Sequence, residues 1–238
     1  MNTELSQLDK LKSDFIAIAS HELRTPLGVI LGYASFLQEA TDEEVRGHAS
    51  KVVSSALQLR RIIEDLTNLR YLEQKQVDLL RELISVDELV HAVVQEVKPI
   101  ADAKGHRLIV LPGAGDARIE ADRIRIGMAL TNVLNNAIRF TPDYGRIVIK
   151  TEVRGGCEAL ITVIDNGVGI PRDQLDRIFE RFVQLEDHMT RSNGGLGIGL
   201  SIARALVEAH GGRIWANSQG VDSGATFTIA LPLSARNS

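Results

Sequence analysis

The chain opens with two stretches in which apolar residues recur at helical spacing. The first runs from Leu5 to Leu37 and the second from Val45 to Leu66. Apolar positions three and four residues apart lie on one face of a helix, so the pattern predicts a helical hairpin with its turn at residues 39–44. Both helices carry apolar residues on more than one face, and a homodimeric four-helix bundle is the economical way to bury them.

From about residue 77 the pattern changes to short strands that alternate with helices. Helices are predicted at 87–104, 122–140, 174–181 and 198–210, and strands at 82–86, 107–111, 117–121, 145–153, 157–165, 213–217 and 225–231. The pair Gly155-Gly156 joins two of these strands as an antiparallel hairpin. We therefore expect a mixed α/β sandwich with its helices on one face of the sheet.

Glycine and proline separate the two pieces of the chain. Of 20 glycines and six prolines, only Gly28, Gly32, Gly47 and Pro26 lie in the first 76 residues. A length of 238 residues is enough for two small domains, each with its own core. The predicted domains are residues 1–75 and residues 76–238.

Composition limits the class of protein. A net charge of -4 and 44% hydrophobic positions are ordinary for a globular protein, and the mild acidity argues against a nucleic-acid partner. The longest uncharged stretch, residues 25–38, is shorter than the roughly 20 residues of a membrane-spanning helix, so no membrane segment is expected. The first residues contain no apolar secretory signal. The single Cys157 excludes an internal disulfide and a cysteine zinc site, which favours a reducing, cytoplasmic location.

A polar patch interrupts the first predicted helix at residues 20–26, Ser-His-Glu-Leu-Arg-Thr-Pro. His21 and Thr25 share one helix face and Glu22 is adjacent to His21. Imidazole is a nucleophile near neutral pH, and a neighbouring carboxylate can hold the ring and accept its second proton. A solvated surface patch is the simpler explanation of a His-Glu pair, so these residues alone leave both interpretations open.

Polar residues also interrupt the helix predicted at 122–140. Asn132, Asn136 and Arg139 share one face, with Asn135 beside them, although asparagine is a mediocre helix former. An amide oxygen is a suitable ligand for Mg²⁺, and a guanidinium group can bind phosphate. An ordinary polar outer face is the alternative.

Two glycine-containing segments follow. Asp165 ends an apolar strand and precedes Gly167 and Gly169; such a carboxylate can accept the amine of adenine while the glycines let the backbone approach the ring. Residues 194–199 place glycines ahead of a helix, where exposed N–H groups attract anions. A plain Asp-Asn-Gly turn explains the first segment equally well, and the second lacks the lysine of a P-loop.

Together and in this order, the segments resemble those of sensor histidine kinases of two-component systems. The H box corresponds to residues 15–38, the N box to 131–141, the first glycine box to 164–171, the F box to 178–184 and the second glycine box to 194–202. The resemblance extends from about residue 8 to residue 233. It implies a dimerisation and histidine phosphotransfer domain followed by a Bergerat-type ATP-binding domain.

The resemblance also implies residue roles. His21 would receive a phosphoryl group while Glu22 orients it, and the Glu22-x-x-Thr25 spacing is associated with dephosphorylation of the partner protein. The implied cofactors are ATP and Mg²⁺, and the implied partners are a response-regulator receiver domain and a second copy of the chain. An upstream sensor, membrane-bound or not, is compatible with this interpretation.

At the nucleotide site the resemblance implies Asp165 on the adenine amine, Gly167 and Gly169 beside the ring, Phe140 near it, Asn136 on Mg²⁺, Asn132 and Arg139 near the phosphates, and Gly195, Gly197 and Gly199 in a loop that closes over the triphosphate. Residues 185–193 would form a mobile lid and residues 71–77 a hinge. Gln184 stands where many relatives carry an arginine that reaches the terminal phosphate, which implies an altered phosphate contact. Arg139 replaces a frequent lysine and keeps its charge.

Two other functions are compatible with parts of the sequence. ATPases such as gyrase, MutL and the large heat-shock chaperones share the nucleotide fold but need a carboxylate early in the N-box helix, which residues 126–130 lack. A scaffold with decayed catalysis is the third interpretation, and the intact His21, Asn136 and Asp165 argue against it. The remaining histidines, His48, His91, His106, His188 and His210, match no motif and are expected to be surface or structural residues.

Overall fold

The computed structural model describes residues 79–183 and 197–234, together with single residues and short stretches between 23 and 59. The chain separates into two compact units, and all the described residues from 79 onward belong to the second. Within these described parts, no helix combines the length and the hydropathy needed to cross a membrane.

The described residues of the first unit are helical apart from Leu37, which lies in a turn. The rings of Tyr33 and Phe36 meet edge to face with centroids 6.2 Å apart, and the His48 ring lies 5.3 Å and 5.5 Å from them. This aromatic cluster joins the first predicted helix to the second, as a hairpin requires. The pairing of two copies in a four-helix bundle stays a prediction, and His21, Glu22, Thr25 and the domain boundary near residue 76 lie outside the described residues.

The second unit alternates strands and helices. Its elements are β1 (Glu82–Ser85), α1 (Val86–Ala103), β2 (Arg107–Leu111), β3 (Arg118–Ala121), α2 (Arg123–Phe140), β4 (Arg146–Arg154), β5 (Glu158–Asp165), α3 (Gly199–Ala209), β6 (Arg213–Asn217) and β7 (Thr226–Pro232). Every one of these elements was predicted from the sequence pattern, with ends that agree to within one residue.

The prediction of a helix at residues 174–181 is wrong. The chain instead forms two single-turn 3-10 helices, Arg172–Gln174 and Arg177–Phe179, closed by hydrogen bonds from Gln174 N to Pro171 O and from Glu180 N to Arg177 O, both 2.9 Å long. Ile178 and Phe179 are both buried, and the Phe179 ring meets Phe227 of β7 edge to face at 6.4 Å. Tertiary packing of two consecutive side chains therefore sets the local conformation.

The main sheet has five strands in the order β2-β4-β5-β7-β6. Strands β2 and β4 pair in parallel and the other neighbours are antiparallel, which confirms the mixed sheet. Gly155 and Gly156 both adopt positive φ in the β4–β5 turn, a conformation that glycine adopts without strain. Strands β1 and β3 form a separate antiparallel pair.

Helix α2 packs between α1 and α3, and its apolar side buries Leu130, Val133, Leu134 and Ala137. The helix begins at Asp122, whose Oδ1 accepts a hydrogen bond from the N–H of Arg125 at 3.1 Å. It ends at Phe140 because Pro142 disfavours helical backbone at Thr141. The polar side of α2 thus faces away from the core, where the sequence analysis places ligand-binding residues.

Candidate functional site

Asp165 is the last residue of β5, and it is only 8% exposed. Its Oδ1 accepts hydrogen bonds from the N–H groups of Gly167 at 2.8 Å and Ala225 at 3.2 Å. Burial raises the pKa of the Asp165 carboxyl, and these two hydrogen bonds oppose the rise. Because both bonds fall on Oδ1, the carboxylate is held in one orientation and Oδ2 is the oxygen that can accept from a ligand.

The loop after Asp165 lies directly against the C-terminal end of α2. The N–H of Val168 donates to the carbonyl of Phe140 at 3.1 Å. A Cβ atom at position 167 would lie 2.5 Å from that same carbonyl oxygen and 2.8 Å from Asp165 Oδ1, so only glycine fits there. Gly169 has a φ of +72°, which also favours glycine. The structure therefore brings Phe140, Asp165, Gly167 and Gly169 together.

Three polar residues of α2 lie on one side of the helix and are half-buried, Asn132, Asn136 and Arg139, and the apolar Phe140 that follows them is also half-buried. The Asn132 amide nitrogen donates to the carbonyl of Met128 at 3.1 Å, which fixes the orientation of the side chain. The Arg139 guanidinium lies 5.0 Å from the centroid of the Phe140 ring, a cation–π contact. Helix α2 thus presents amide oxygens in its middle and a cation at its end.

The start of α3 packs on the same helix. A Cβ atom at Gly199, the first residue of α3, would lie 3.0 Å from Asn132 Oδ1, so the second glycine segment approaches α2 closely at this point. Gly197 has a φ of +67°, and its carbonyl accepts from the N–H of Phe182 at 3.0 Å. Ile198, at the N-cap of α3, makes no side-chain capping bond. Gly195, Gln184 and the predicted lid at 185–193 lie outside the described residues.

Sequence reasoning missed the loop between β6 and β7, residues 218–225, which we call the clamp loop. Its Ala225 holds the Asp165 carboxylate, and its Gly224 donates an N–H to the carbonyl of Gly167 at 3.0 Å. Gly224 has a φ of +68°, and a Cβ there would overlap the backbone oxygen of Asp165. The glycines of the loop were a turn signal, but nothing local shows that the turn supports a carboxylate on another strand.

Two of the remaining histidines are buried and structural. His106 Nε2 donates to the carbonyls of Thr141 at 3.2 Å and Pro142 at 3.0 Å, just beyond the end of α2. His210, 2% exposed at the end of α3, donates from Nδ1 to the carbonyl of Leu206 at 2.7 Å and accepts at Nε2 from the N–H of Asp122 at 3.0 Å. Because Asp122 caps α2, His210 ties α3 to the start of the helix that carries Asn132 and Asn136.

The neutral form of His210 is the one that makes both bonds, so we expect acid to weaken this tie. Burial is the main cause that lowers the pKa of His210 below its usual 6.5, and the charges of Arg81 and Arg125 act in the same direction. The unfolded chain therefore binds a proton that the folded chain resists. The stability that His210 contributes is complete above pH about 6.5 and is lost as the pH falls below it.

The measurement is urea unfolding followed by the fluorescence of Trp215, the only tryptophan, at several pH values on either side of 6.5. His210→Gln should cost about 1 kcal/mol at neutral pH and flatten the acid-side loss of stability. His91→Gln, at an exposed position of α1, is the matched control. A pH dependence as steep in His210→Gln as in the unchanged protein would contradict the expectation.

Comparison with known proteins identifies both units. The family model described as Histidine kinase-, DNA gyrase B-, and HSP90-like ATPase matches residues 121–235, and that of the His Kinase A (phospho-acceptor) domain matches residues 11–75. The sensor histidine kinase WalK of Bacillus subtilis is 32% identical over 235 residues, covering 97% of this chain and 38% of WalK. The autoinducer 2 sensor kinase/phosphatase LuxQ of Vibrio cholerae is 35% identical over 236 residues, covering 97% of this chain and 27% of LuxQ.

The chain thus spans well under half the length of these two relatives. Among solved structures, the histidine kinase ThkA in complex with the response regulator protein TrrA has a TM-score of 0.72 at 23% identity, and the match covers 100% of this chain and 65% of that chain. This likeness shows a shared fold. With a phosphoacceptor match at residues 11–75 followed by an ATPase match at residues 121–235, the chain belongs to the sensor histidine kinases.

Proposed function

We propose that this chain is the catalytic core of an ATP-dependent protein-histidine kinase. It phosphorylates its own His21 and passes the phosphoryl group to an aspartate of a response-regulator receiver domain. The observation that carries the proposal is the anchored Asp165 carboxylate beside a glycine loop and α2, in a chain whose residues 11–75 match a phosphoacceptor domain.

The described residues fit an adenine ring at Asp165. The carboxylate is held by two backbone N–H groups through Oδ1, so Oδ2 can accept a hydrogen bond from the exocyclic amine. Gly167 and Gly169 contribute no side chains beside Asp165, and a Cβ at Gly167 would already collide with Phe140 O. The half-buried Phe140 ring offers an apolar surface near the base.

The polar side of α2 fits the triphosphate and its metal ion. Asn136 would provide a neutral amide oxygen to Mg²⁺, while Asn132 and Arg139 would lie near the phosphates. Gly197 and Gly199 would let the chain close over the phosphates, and the 3.0 Å approach of a Cβ at Gly199 to Asn132 Oδ1 shows how closely the two segments meet. Gly195 and the lid at 185–193 would complete this closure.

The bound nucleotide supplies the γ-phosphoryl group, and the residues of the chain direct its transfer. A ring nitrogen of His21 forms the new bond to phosphorus as the bond to ADP breaks, and Glu22 accepts the proton of the other ring nitrogen. Arg139 offsets negative charge on the phosphoryl group. His21 must approach the nucleotide for this step, which is why residues 71–77 are proposed as a hinge.

The partners of the chain would be a second copy of itself and a receiver domain. Two copies of the chain would form the four-helix bundle that presents His21, and a receiver domain would dock there to take the phosphoryl group. ThkA, the structural neighbour, was solved with a response regulator, which supports this class of partner. Thr25, four residues after His21 in the sequence, would orient a water for the dephosphorylating activity, and LuxQ is named a kinase/phosphatase.

The kinase is favoured over an ATPase of the gyrase or heat-shock chaperone kind. Such an ATPase needs a carboxylate near the start of α2, and that stretch, residues 126–130, contains none. It would also leave the phosphoacceptor match at residues 11–75 without a purpose.

The proposal is tested by incubating the full chain with γ-labelled ATP and Mg²⁺. We expect one label per chain, stable in base and labile in acid as a phosphoramidate is, followed by transfer of that label to a receiver domain. Release of labelled inorganic phosphate without any labelled protein would instead indicate an ATPase and would overturn the proposal.

A further inference from the structure

Ser218 opens the clamp loop, and its hydroxyl group uses its full hydrogen-bonding capacity. Oγ accepts from the N–H of Ile170 at 3.0 Å and from the N–H of Gly220 at 3.3 Å, and it donates to the carbonyl of Gly224 at 2.7 Å, with the Gly220 carbonyl a more distant alternative at 3.2 Å. A hydroxyl group has one proton to donate and two lone pairs to accept with. Ser218 therefore links the end of the glycine loop to both ends of its own turn.

The same two loops are tied at three further places. The N–H of Asp222 donates to the carbonyl of Val168 at 2.7 Å, and the N–H of Gly224 donates to the carbonyl of Gly167 at 3.0 Å. Ala225 and Asp165 exchange two bonds, one of which is the 3.2 Å bond from Ala225 N to Asp165 Oδ1. Among the described residues, Ser218 is the residue of the clamp loop whose side chain bonds to the glycine loop. The other bonds between the two loops use backbone groups of the clamp loop.

The backbones of the two loops also approach each other closely. A Cβ at Gly169 would overlap the carbonyl oxygen of Gly220, and one at Gly224 would overlap the backbone oxygen of Asp165. The position of Ala225, and with it the orientation of the Asp165 carboxylate, therefore depends on how the clamp loop is folded. Ser218 closes that fold by joining residues 170, 220 and 224.

We propose that Ser218 is a positioning residue for adenine selection: it holds the clamp loop against the glycine loop so that Ala225 keeps Asp165 aimed at the adenine amine. This inference rests on the proposed function, because it requires ATP as the ligand. Ser218 itself acts through Ala225 and does not touch the nucleotide.

The test compares the affinity of the full chain for ATP and for purine riboside triphosphate, which lacks the exocyclic amine. Removing the hydroxyl group leaves the N–H of Ile170 and the carbonyl of Gly224 without their partner, so Ser218→Ala should weaken ATP binding by about fivefold or more. Binding of the analogue should change less, because it never used the amine contact. The preference for ATP over the analogue therefore falls.

Two comparisons distinguish a role of Ser218 in positioning Asp165 from a general loss of order in the clamp loop. Ser223→Ala makes the same change in the same loop, but that hydroxyl is exposed and donates only to the nearby carbonyl of Val221, so the preference should match the unchanged protein. Ser218→Thr and Ser218→Val have nearly the same volume and differ in the hydroxyl group. Thr should keep the preference for ATP and Val should lose it.

Several results would overturn the inference. These are an unchanged preference in Ser218→Ala, equal weakening of both nucleotides, or the same preference in Ser218→Thr and Ser218→Val. They are distinct from failure of the proposed function, which would appear as an unchanged protein that binds neither nucleotide.

Discussion

Replacing His21 by alanine is expected to reduce incorporation of phosphate from γ-labelled ATP by more than about 1,000-fold, because the substitution removes the nucleophile itself. Nucleotide binding should persist. The residues proposed to hold ATP, among them Asn136 and Asp165, belong to the second unit of the chain and do not include His21. The measurements are label incorporation and, on the same preparation, an ATP binding titration.

The matched control is His91→Ala. His91 is an exposed residue of α1 that has no part in the proposed site, so both labelling and ATP affinity should equal those of the unchanged protein. Full labelling of His21→Ala, or an equal loss of labelling in His91→Ala, would contradict the assignment of His21 as the phosphoacceptor.

The strands and helices of the second unit were predictable because each has a clear apolar period and marked ends. Asp122 caps α2 with its side chain, Pro142 prevents the helix from continuing, and Gly155-Gly156 permits the turn between β4 and β5. Each signal acts over a few residues, which is the range that a sequence pattern can show.

The failed helix at 174–181 shows the opposite case. Its local pattern is compatible with a helical turn, but the burial of Ile178 and Phe179 next to each other depends on Phe227, far along the chain in β7. A contact with a residue so distant in sequence does not change the local spacing of apolar residues, so the sequence pattern cannot show it. Tertiary packing therefore decided a conformation that the sequence leaves open.

In the candidate site, too, local sequence signals were recognisable and contacts between distant residues were not. Asp165 and its glycines were identified from a strand end, whereas the groups that orient the carboxylate were not. Ala225 N lies 60 positions from Asp165, Ser218 lies 48 from Ile170, and His210 lies 88 from Asp122. All three contacts use a backbone N–H group as the donor to a side chain, and such groups are the same in every residue except proline. Residue identity therefore indicated the group that is proposed to contact a ligand, and it missed the groups that hold that carboxylate in place.

Replacing Asp165 by asparagine is expected to weaken ATP binding by about 10- to 100-fold, since a hydrogen bond to a charged group contributes about 1.5–3 kcal/mol. The geometry makes the change unfavourable. Oδ1 accepts from two backbone N–H groups, so the asparagine carbonyl must occupy that position and its NH₂ group must replace Oδ2. A donor would then face the amine of adenine. GTP presents a carbonyl at the corresponding position, so the ratio of ATP to GTP affinity should fall.

The stability of the fold should respond differently from the affinity. Burial raises the pKa of Asp165, which means that the fold disfavours the ionised carboxylate, and a neutral amide of the same shape removes that cost. We therefore expect Asp165→Asn to unfold at the same or a higher urea concentration while it binds ATP more weakly. Asp102→Asn is the control, because it makes the same change at an exposed residue whose ion pair with Lys98 contributes little. An ATP affinity in Asp165→Asn equal to that of the control would contradict the adenine contact, since loss of folding is excluded by the urea measurement on the same protein.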